Sequence, residues 1–242
     1  MDLDGLRALV ALGAGLTRIG PVSGADQQTP VAGAGIWTPA AILADLDGTL
    51  IDSVASSERA WGAFARRRGL DEEETHRFAM GRPTRETVAL LVPEEEREAE
   101  QGQIDRDEVE DAGSVIAYEG AAELLAGPIP IAVVTSGSDE LARARLRGAG
   151  LEPPAVLVTA NSIERGKPDP EPFLLGAERL GVEPSRCLAL EDAPSGIESA
   201  RAAGIPVVAF RTTHLEAELE GASEILDTLA EAVEFLGRGG RL

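Results

Sequence analysis

The sequence predicts an α/β fold: a parallel sheet with helices on both faces, opened after its first strand by a helical insert. Three observations predict it. Short apolar runs bounded by turn residues recur at 41–44, 129–135, 155–159, 187–190 and 206–210, and runs of that length read as buried strands. Helical patterns lie between the later runs, at 139–146, 170–180 and 195–203, and strands alternating with helices imply parallel crossovers that cover both faces. The interval 53–127 breaks the alternation and holds no convincing strand.

The elements follow in order. Ala41-Ile42-Leu43-Ala44 is the first strand and ends at Asp45. The insert reads as four helices, at 57–68, 71–80, Thr84–Leu91 and 94–110. Asp71-Glu72-Glu73-Glu74 places acids in a first turn, where the helix dipole favours them. With 18 acids against 9 bases over 53–127, the insert carries a solvated acidic face. The helix at 170–180 starts with a proline, and the one at 195–203 stops at Gly204, a usual helix-ending residue. Residues 1–39 differ in composition: a weak amphipathic helix at 3–16 is expected, then a Gly- and Pro-rich linker, together an extension without chemistry. The expected division is 1–39 extension, 40–53 with 128–242 core, and 54–127 insert.

Composition narrows the function. The chain has 242 residues and a formal charge of −20, which repels phosphate backbones and argues against nucleic acid as a partner. A single cysteine, Cys187, excludes a disulfide scaffold; in an apolar strand it reads as a small buried hydrophobe. No apolar stretch approaches the roughly 18 residues of a membrane span, so no membrane partner is expected. Asp2 and Asp4 stand where an export signal carries positive charge, so a cytoplasmic location is expected. Sequence leaves the oligomeric state open.

The chemistry lies at strand ends, because sites in open parallel sheets form there. Asp45 and Asp47 follow the first strand, Thr135 and Ser136 the second, and Glu191 and Asp192 the fourth. Lys167 lies in the loop beyond the third. Several carboxylates in one place repel and need a cation, and oxygen-only ligands suit Mg²⁺. Lys167 and the Thr135 hydroxyl add donors, so the set suits an anion with several oxygens, most simply a phosphoryl group. One carboxylate can attack phosphorus, and a second can protonate the leaving oxygen and then activate water. Asp45 and Asp47, two residues apart on extended backbone, point the same way.

Asp45-Leu46-Asp47-Gly48-Thr49-Leu50, Val133-Val134-Thr135-Ser136-Gly137, Lys167-Pro168-Asp169-Pro170 and Leu190-Glu191-Asp192-Ala193-Pro194-Ser195-Gly196 occur in that order. Together they resemble the four motifs of the haloacid dehalogenase superfamily of phosphohydrolases, over residues 40–237. The resemblance implies a Rossmann-like core with an inserted helical cap. It implies that Asp45 is the nucleophile and Asp47 the general acid and base, with the Asp47 backbone carbonyl on the metal. It makes Asp192 a Mg²⁺ ligand with Glu191 beside it, and gives the phosphoryl oxygens to Thr135, Lys167 and backbone N–H groups near Ser136 and Gly137. Relatives that cut carbon–halogen bonds lack the second acid, so Asp47 argues against dehalogenation.

Specificity is expected from the insert. Gly81-Arg82-Pro83-Thr84-Arg85-Glu86 resembles the substrate loop of capped sugar phosphatases. Arg82 or Arg85 is expected to hold hydroxyls or a second anion by bidentate hydrogen bonds. Glu58 is expected to accept sugar or glycerol hydroxyls, and Trp61 to pack in the insert's core. The branch resembled most is that of sugar- and glycerol-phosphate phosphatases. The alternative is a sugar phosphomutase with the same cap; such mutases carry a histidine where this chain has Ser57. Phosphonate cleavage needs a cap lysine, and 53–127 contain none.

Overall fold

The computed structural model describes residues 38–80 and 82–237. The helix expected at 3–16 and nearly all of the linker lie outside them, as does Gly81 of the arginine loop.

Six parallel strands form the main sheet. They are β1 (Ala41–Ala44), β4 (Ile131–Val134), β5 (Val156–Val158), β6 (Cys187–Glu191), β7 (Val207–Phe210) and β8 (Glu224–Leu226), in the order β5-β4-β1-β6-β7-β8. β1 sits at the centre, with Ala44 in register with Val133 on one side and Leu190 on the other. Its side chains divide by the two-residue strand period. Ile42 and Ala44 enter one apolar cluster, with Phe210, Leu146 and Leu188. Ala41 and Leu43 enter the other, with Phe173, Ile197 and Cys187. Burial on both faces is why these strands read as continuous apolar runs rather than alternating ones.

Helices cover both faces. α5 (Ala121–Ala126), α6 (Asp139–Gly148) and α9 (Leu229–Gly237) place residues in the first cluster, α7 (Glu171–Leu180) and α8 (Pro194–Ala202) in the second. Ser138 caps α6 by accepting from the Leu141 N–H at 3.2 Å.

The insert supplies α1 (Val54–Arg68), α2 (Glu72–Ala79), α3 (Thr84–Leu91) and α4 (Arg97–Glu110). Asp71 caps α2, accepting from the Glu74 N–H at 2.8 Å, so the first acid of that run is a cap and the next three carry the dipole interaction. These helices share an apolar cluster of their own around Trp61, Phe64, Phe78, Val88 and Ile104. Trp61 meets Phe64 edge-on at 5.6 Å between ring centres, as its core role requires.

One expectation fails. The stretch 53–127 does contain a strand, β3 (Ile116–Ala117), antiparallel to β2 (Ile51–Asp52). Two residues are too few to show alternation, and Ile116 is exposed. This ribbon joins the helical unit to the α/β part. Val115, Ala121 and Leu124, within the range read as insert, pack in the α/β cluster.

Candidate active site

The carboxyl ends of β1, β4, β6 and β7 open into one cleft, with helices α1–α4 across it. β1 delivers Asp45, whose N–H donates to the Leu190 carbonyl at 2.9 Å and so extends the strand by one residue. The chain then turns within Asp45–Ile51: the Gly48 N–H donates to the Ile51 carbonyl at 2.8 Å. Gly48 has φ +88°, and a Cβ there would lie 2.2 Å from Asp192 Oδ2, so this turn needs glycine on both counts. The tight turn is what brings the first motif against the fourth.

Lys167 is buried among acids. Its Nζ donates to Asp45 Oδ1 at 2.5 Å, to Glu191 Oε1 at 2.6 Å and to the Val134 carbonyl at 3.0 Å, using all three ammonium protons. Burial alone would make the amine easier to deprotonate, but Asp45 and Glu191 reverse this and hold it charged above the usual lysine range. Burial pushes the Asp45 carboxyl well above the usual range; Lys167 opposes the shift, and Glu191 and Asp192 add to it. Asp192 is pushed up to about 7, first by burial and then by Glu191. Ligand atoms of Asp45, Glu191 and Asp192 lie within 4.8 Å of one another. Three buried carboxylates against one ammonium leave net negative charge that a cation would neutralise.

The fourth motif is held from several sides. The second Glu191 oxygen, Oε2, accepts from the N–H groups of Asp192 at 3.0 Å and Ala193 at 3.2 Å. Glu191 is thus committed to the Lys167 ammonium and to its own loop. A Cβ on Gly196 would lie 1.8 Å from Glu191 Oε1, so α8 can approach only because that residue is glycine. Asp192 Oδ1 accepts from Thr49 at 3.3 Å, and Oδ2 from Thr213.

Asp45 and Asp47 both line the cleft but do not share partners as two side chains on one extended run would, because the strand ends at Ala44 and the chain turns before Asp47. Asp47 Oδ1 accepts from Ser53 at 2.7 Å and Arg145 Nη1 at 2.8 Å, and Oδ2 from Thr135 at 3.4 Å. Thr135 Oγ1 also accepts from the Gly137 N–H at 3.0 Å, and Ser136 and Gly137 line the cleft.

The insert residues divide. Arg82 and Ser57 line the cleft. Arg82 is braced by the Phe78 carbonyl at 2.6 Å and by its ring, 4.6 Å from the guanidinium carbon. Arg85 does not line the cleft. It donates to the carbonyls of Ala160 at 2.5 Å, Glu164 at 3.2 Å and Ile163 at 3.3 Å, and so clamps α3 onto the loop after β5. Glu58 is exposed on α1 and does not line the cleft either. Helix spacing could not tell which face of α1 or α3 would be turned inward.

Three site residues go beyond the sequence reading. Thr213 stands at the carboxyl end of β7, a strand end with the polar run Arg211-Thr212-Thr213-His214. Arg145 lies one turn beyond buried Leu141 on α6, and Glu108 one turn beyond buried Ile104 on α4. A lone charge on the otherwise apolar face of α6 was the available signal for Arg145; Glu108, on a helix whose one other buried residue is Ile104, carried no such signal. Burial pushes the Glu108 carboxyl up to about 7, against the pull of Arg145 and with help from Asp47. Folded Glu108 therefore keeps its proton while the unfolded chain loses it, and stability falls as pH rises from about 4.5 to about 7. Glu108→Gln is expected to remove on the order of 3 kcal/mol of that pH dependence. Urea midpoints of both proteins at pH 5 and pH 8 check this; parallel shifts would contradict it.

A family model described as haloacid dehalogenase-like hydrolase matches residues 39–204. The chain belongs to that family. Hexitol phosphatase A of Escherichia coli (strain K12) is 40% identical to this hydrolase over 196 residues, 78% of this chain and 91% of that protein. Validoxylamine A 7'-phosphate phosphatase of Streptomyces hygroscopicus subsp. limoneus is 37% identical over 201 residues, 78% of this chain and 93% of that protein. Among solved structures, CbbY from Rhodobacter sphaeroides in complex with phosphate matches the hydrolase with TM-score 0.71 and 26% identity, over 80% of this chain and 96% of that one. Among the described residues no helix is long and apolar enough to cross a membrane.

Proposed function

We propose that this hydrolase is a Mg²⁺-dependent phosphatase that cleaves a small phosphorylated sugar or polyol through an aspartyl phosphate on Asp45. Its family, with relatives named hexitol phosphatase A and validoxylamine A 7'-phosphate phosphatase, supports a phosphoric monoester hydrolase of phosphorylated sugars. The observation that carries the aspartyl-phosphate route is that two acids in one cleft are held by separate partners. Asp45 is clamped by Lys167 on the floor of the cleft, while Asp47 is held by Ser53 and Arg145 on its wall.

The donor set fits a hard divalent cation: all three clustered side chains offer carboxylate oxygen, and one ammonium leaves them undercompensated. Asp45 and Asp192, with the Asp47 backbone carbonyl, would hold Mg²⁺, while Glu191 beside them stays on Lys167 and adds negative charge. When bound it supplies positive charge to the phosphoryl oxygens.

An Asp45 oxygen attacks phosphorus, and the bond from phosphorus to the ester oxygen breaks. Asp47 gives its proton to that oxygen, so the product leaves as an alcohol. Asp47 then takes a proton from water as the water oxygen attacks phosphorus and the bond to Asp45 breaks. Phosphate departs and both carboxyls are restored. Lys167 orients Asp45 throughout, and Thr135 with the 136–137 backbone faces the transferred group. We read the helices within 54–127 as the cap that closes this site, with Arg82 its substrate contact. Ser57 on the cleft wall offers a hydroxyl rather than an imidazole, which favours hydrolysis over return of the phosphoryl group to a sugar.

Phosphate release across hexitol, sugar, glycerol and nucleotide phosphates, with Mg²⁺ or with chelator, tests this reading. Sugar and polyol phosphates are expected to lead, and chelation to cost at least about 100-fold, restored by Mg²⁺. Preference for nucleotides, or turnover indifferent to chelator, would overturn it.

A further inference from the structure

Next to Asp47 lie a buried base and a buried acid to which the reaction above assigns no step. Arg145 and Glu108 side chains are each 5% exposed, both line the cleft beside Asp47, and they bond to each other at 3.1 Å. The other guanidinium nitrogen, Nη1, reaches Asp47 Oδ1 at 2.8 Å. The line Glu108–Arg145–Asp47 thus runs from the helical unit, through α6, to the acid on the cleft wall.

We propose that Arg145 is a positioning residue that decides which Asp47 oxygen moves the proton, and that Glu108 holds Arg145 in place. This rests on the reading of Asp47 as general acid and base. Oδ1 accepts from both Ser53 and Arg145, whereas among the described residues Oδ2 accepts only the long contact from Thr135. An oxygen whose lone pairs already meet a hydroxyl and a guanidinium is a poor seat for a proton; the less engaged one is a better seat. Oδ2 therefore carries the proton to the ester oxygen as its bond to phosphorus breaks, and recovers one from water in the second step. The planar guanidinium suits this task because its rigid fork engages two carboxyls at once, which an ammonium on a flexible stem does poorly. Glu108 comes from α4, so the helical unit must be seated for the fork to be held.

The test compares two esters in the full-length protein. A nitrophenolate leaves without a proton, whereas a sugar alkoxide needs one. Arg145→Gln is expected to lower kcat/KM for a hexitol phosphate by about 100-fold, and for p-nitrophenyl phosphate by less than about 3-fold. Arg145→Lys should recover part of the loss, and Glu108→Gln should show the same contrast, smaller. The double variant Arg145→Gln, Glu108→Gln leaves no unpaired buried charge and should show the full contrast, even if Arg145→Gln alone does not fold. Equal losses on both esters, or none, would overturn the role of Arg145 and leave the phosphatase reading standing. Undiminished turnover in Asp45→Asn would remove that reading and this inference together.

Discussion

Replacing Asp45 with asparagine is expected to abolish turnover while leaving the fold at least as stable as the parent. Loss of the attacking oxygen should lower kcat by about 10⁴-fold or more, the scale seen when a nucleophile is removed from an otherwise intact site. Stability should not follow. Asp45 is buried beside Glu191 and Asp192, and burial together with those neighbours disfavours its charged form. An amide of the same shape removes one of three clustered charges, and its carbonyl oxygen still accepts from Lys167. Phosphate release and the thermal midpoint, measured on one preparation, separate the two effects. A variant that lost activity only because it had unfolded would lack the parent's cooperative transition.

Lys167→Met is expected to lose activity and stability together. The ammonium is the shared donor for Asp45 Oδ1, Glu191 Oε1 and the Val134 carbonyl, at 2.5, 2.6 and 3.0 Å, and it is almost wholly buried. Removing one partner of a buried ion pair leaves uncompensated charge and costs about 3–5 kcal/mol. The apolar replacement also strands the Val134 carbonyl at the end of β4. Lys167 Nζ lies 5.3 Å from the Phe173 ring centre, so the loss should reach the apolar layer beneath the site. Urea denaturation with a fixed m-value checks the stability loss, and a change under about 1 kcal/mol would contradict it. Glu191→Gln in the same background should recover part of the stability and none of the activity, because it removes the orphaned charge without restoring the clamp on Asp45.

Much of this architecture was legible because strands buried on both faces announce themselves as unbroken apolar runs. The five runs read as strands correspond to β1, β4, β5, β6 and β7. β8 was not legible: Glu224-Ile225-Leu226 is short, half-buried and at the sheet edge, so its composition is not that of a core strand. The β2–β3 ribbon was invisible for a similar reason. The closing helix did carry a signal, with Leu229, Ala232, Val233 and Leu236 on one face and packed in the cluster beside β1.

In the site, the residues that could be read were those tied to strand ends, Thr213 beyond β7 excepted. Asp45, Lys167, Glu191 and Asp192 meet on the cleft floor, with Thr135 and Asp47 above them. Strand order and a common winding bring such ends together without knowledge of side-chain contacts. Residues on helix faces were not readable in that way. Arg85 and Glu58 sit where helix rotation turns them from the cleft, whereas Glu108 and Arg145 sit where it turns them in. The difference is a rotation of about 100° per residue about a helix axis, and only tertiary packing sets its origin.

The most direct measurement is to stop the reaction with acid during turnover of a hexitol phosphate and map the phosphorylated peptide by mass. The expected result is a phosphoryl group on the peptide holding Asp45, absent in Asp45→Asn and lost on mild base treatment as acyl phosphates are. A protein that turns over its substrate rapidly with no acid-stable label on that peptide, or with the label on another residue, would contradict the account.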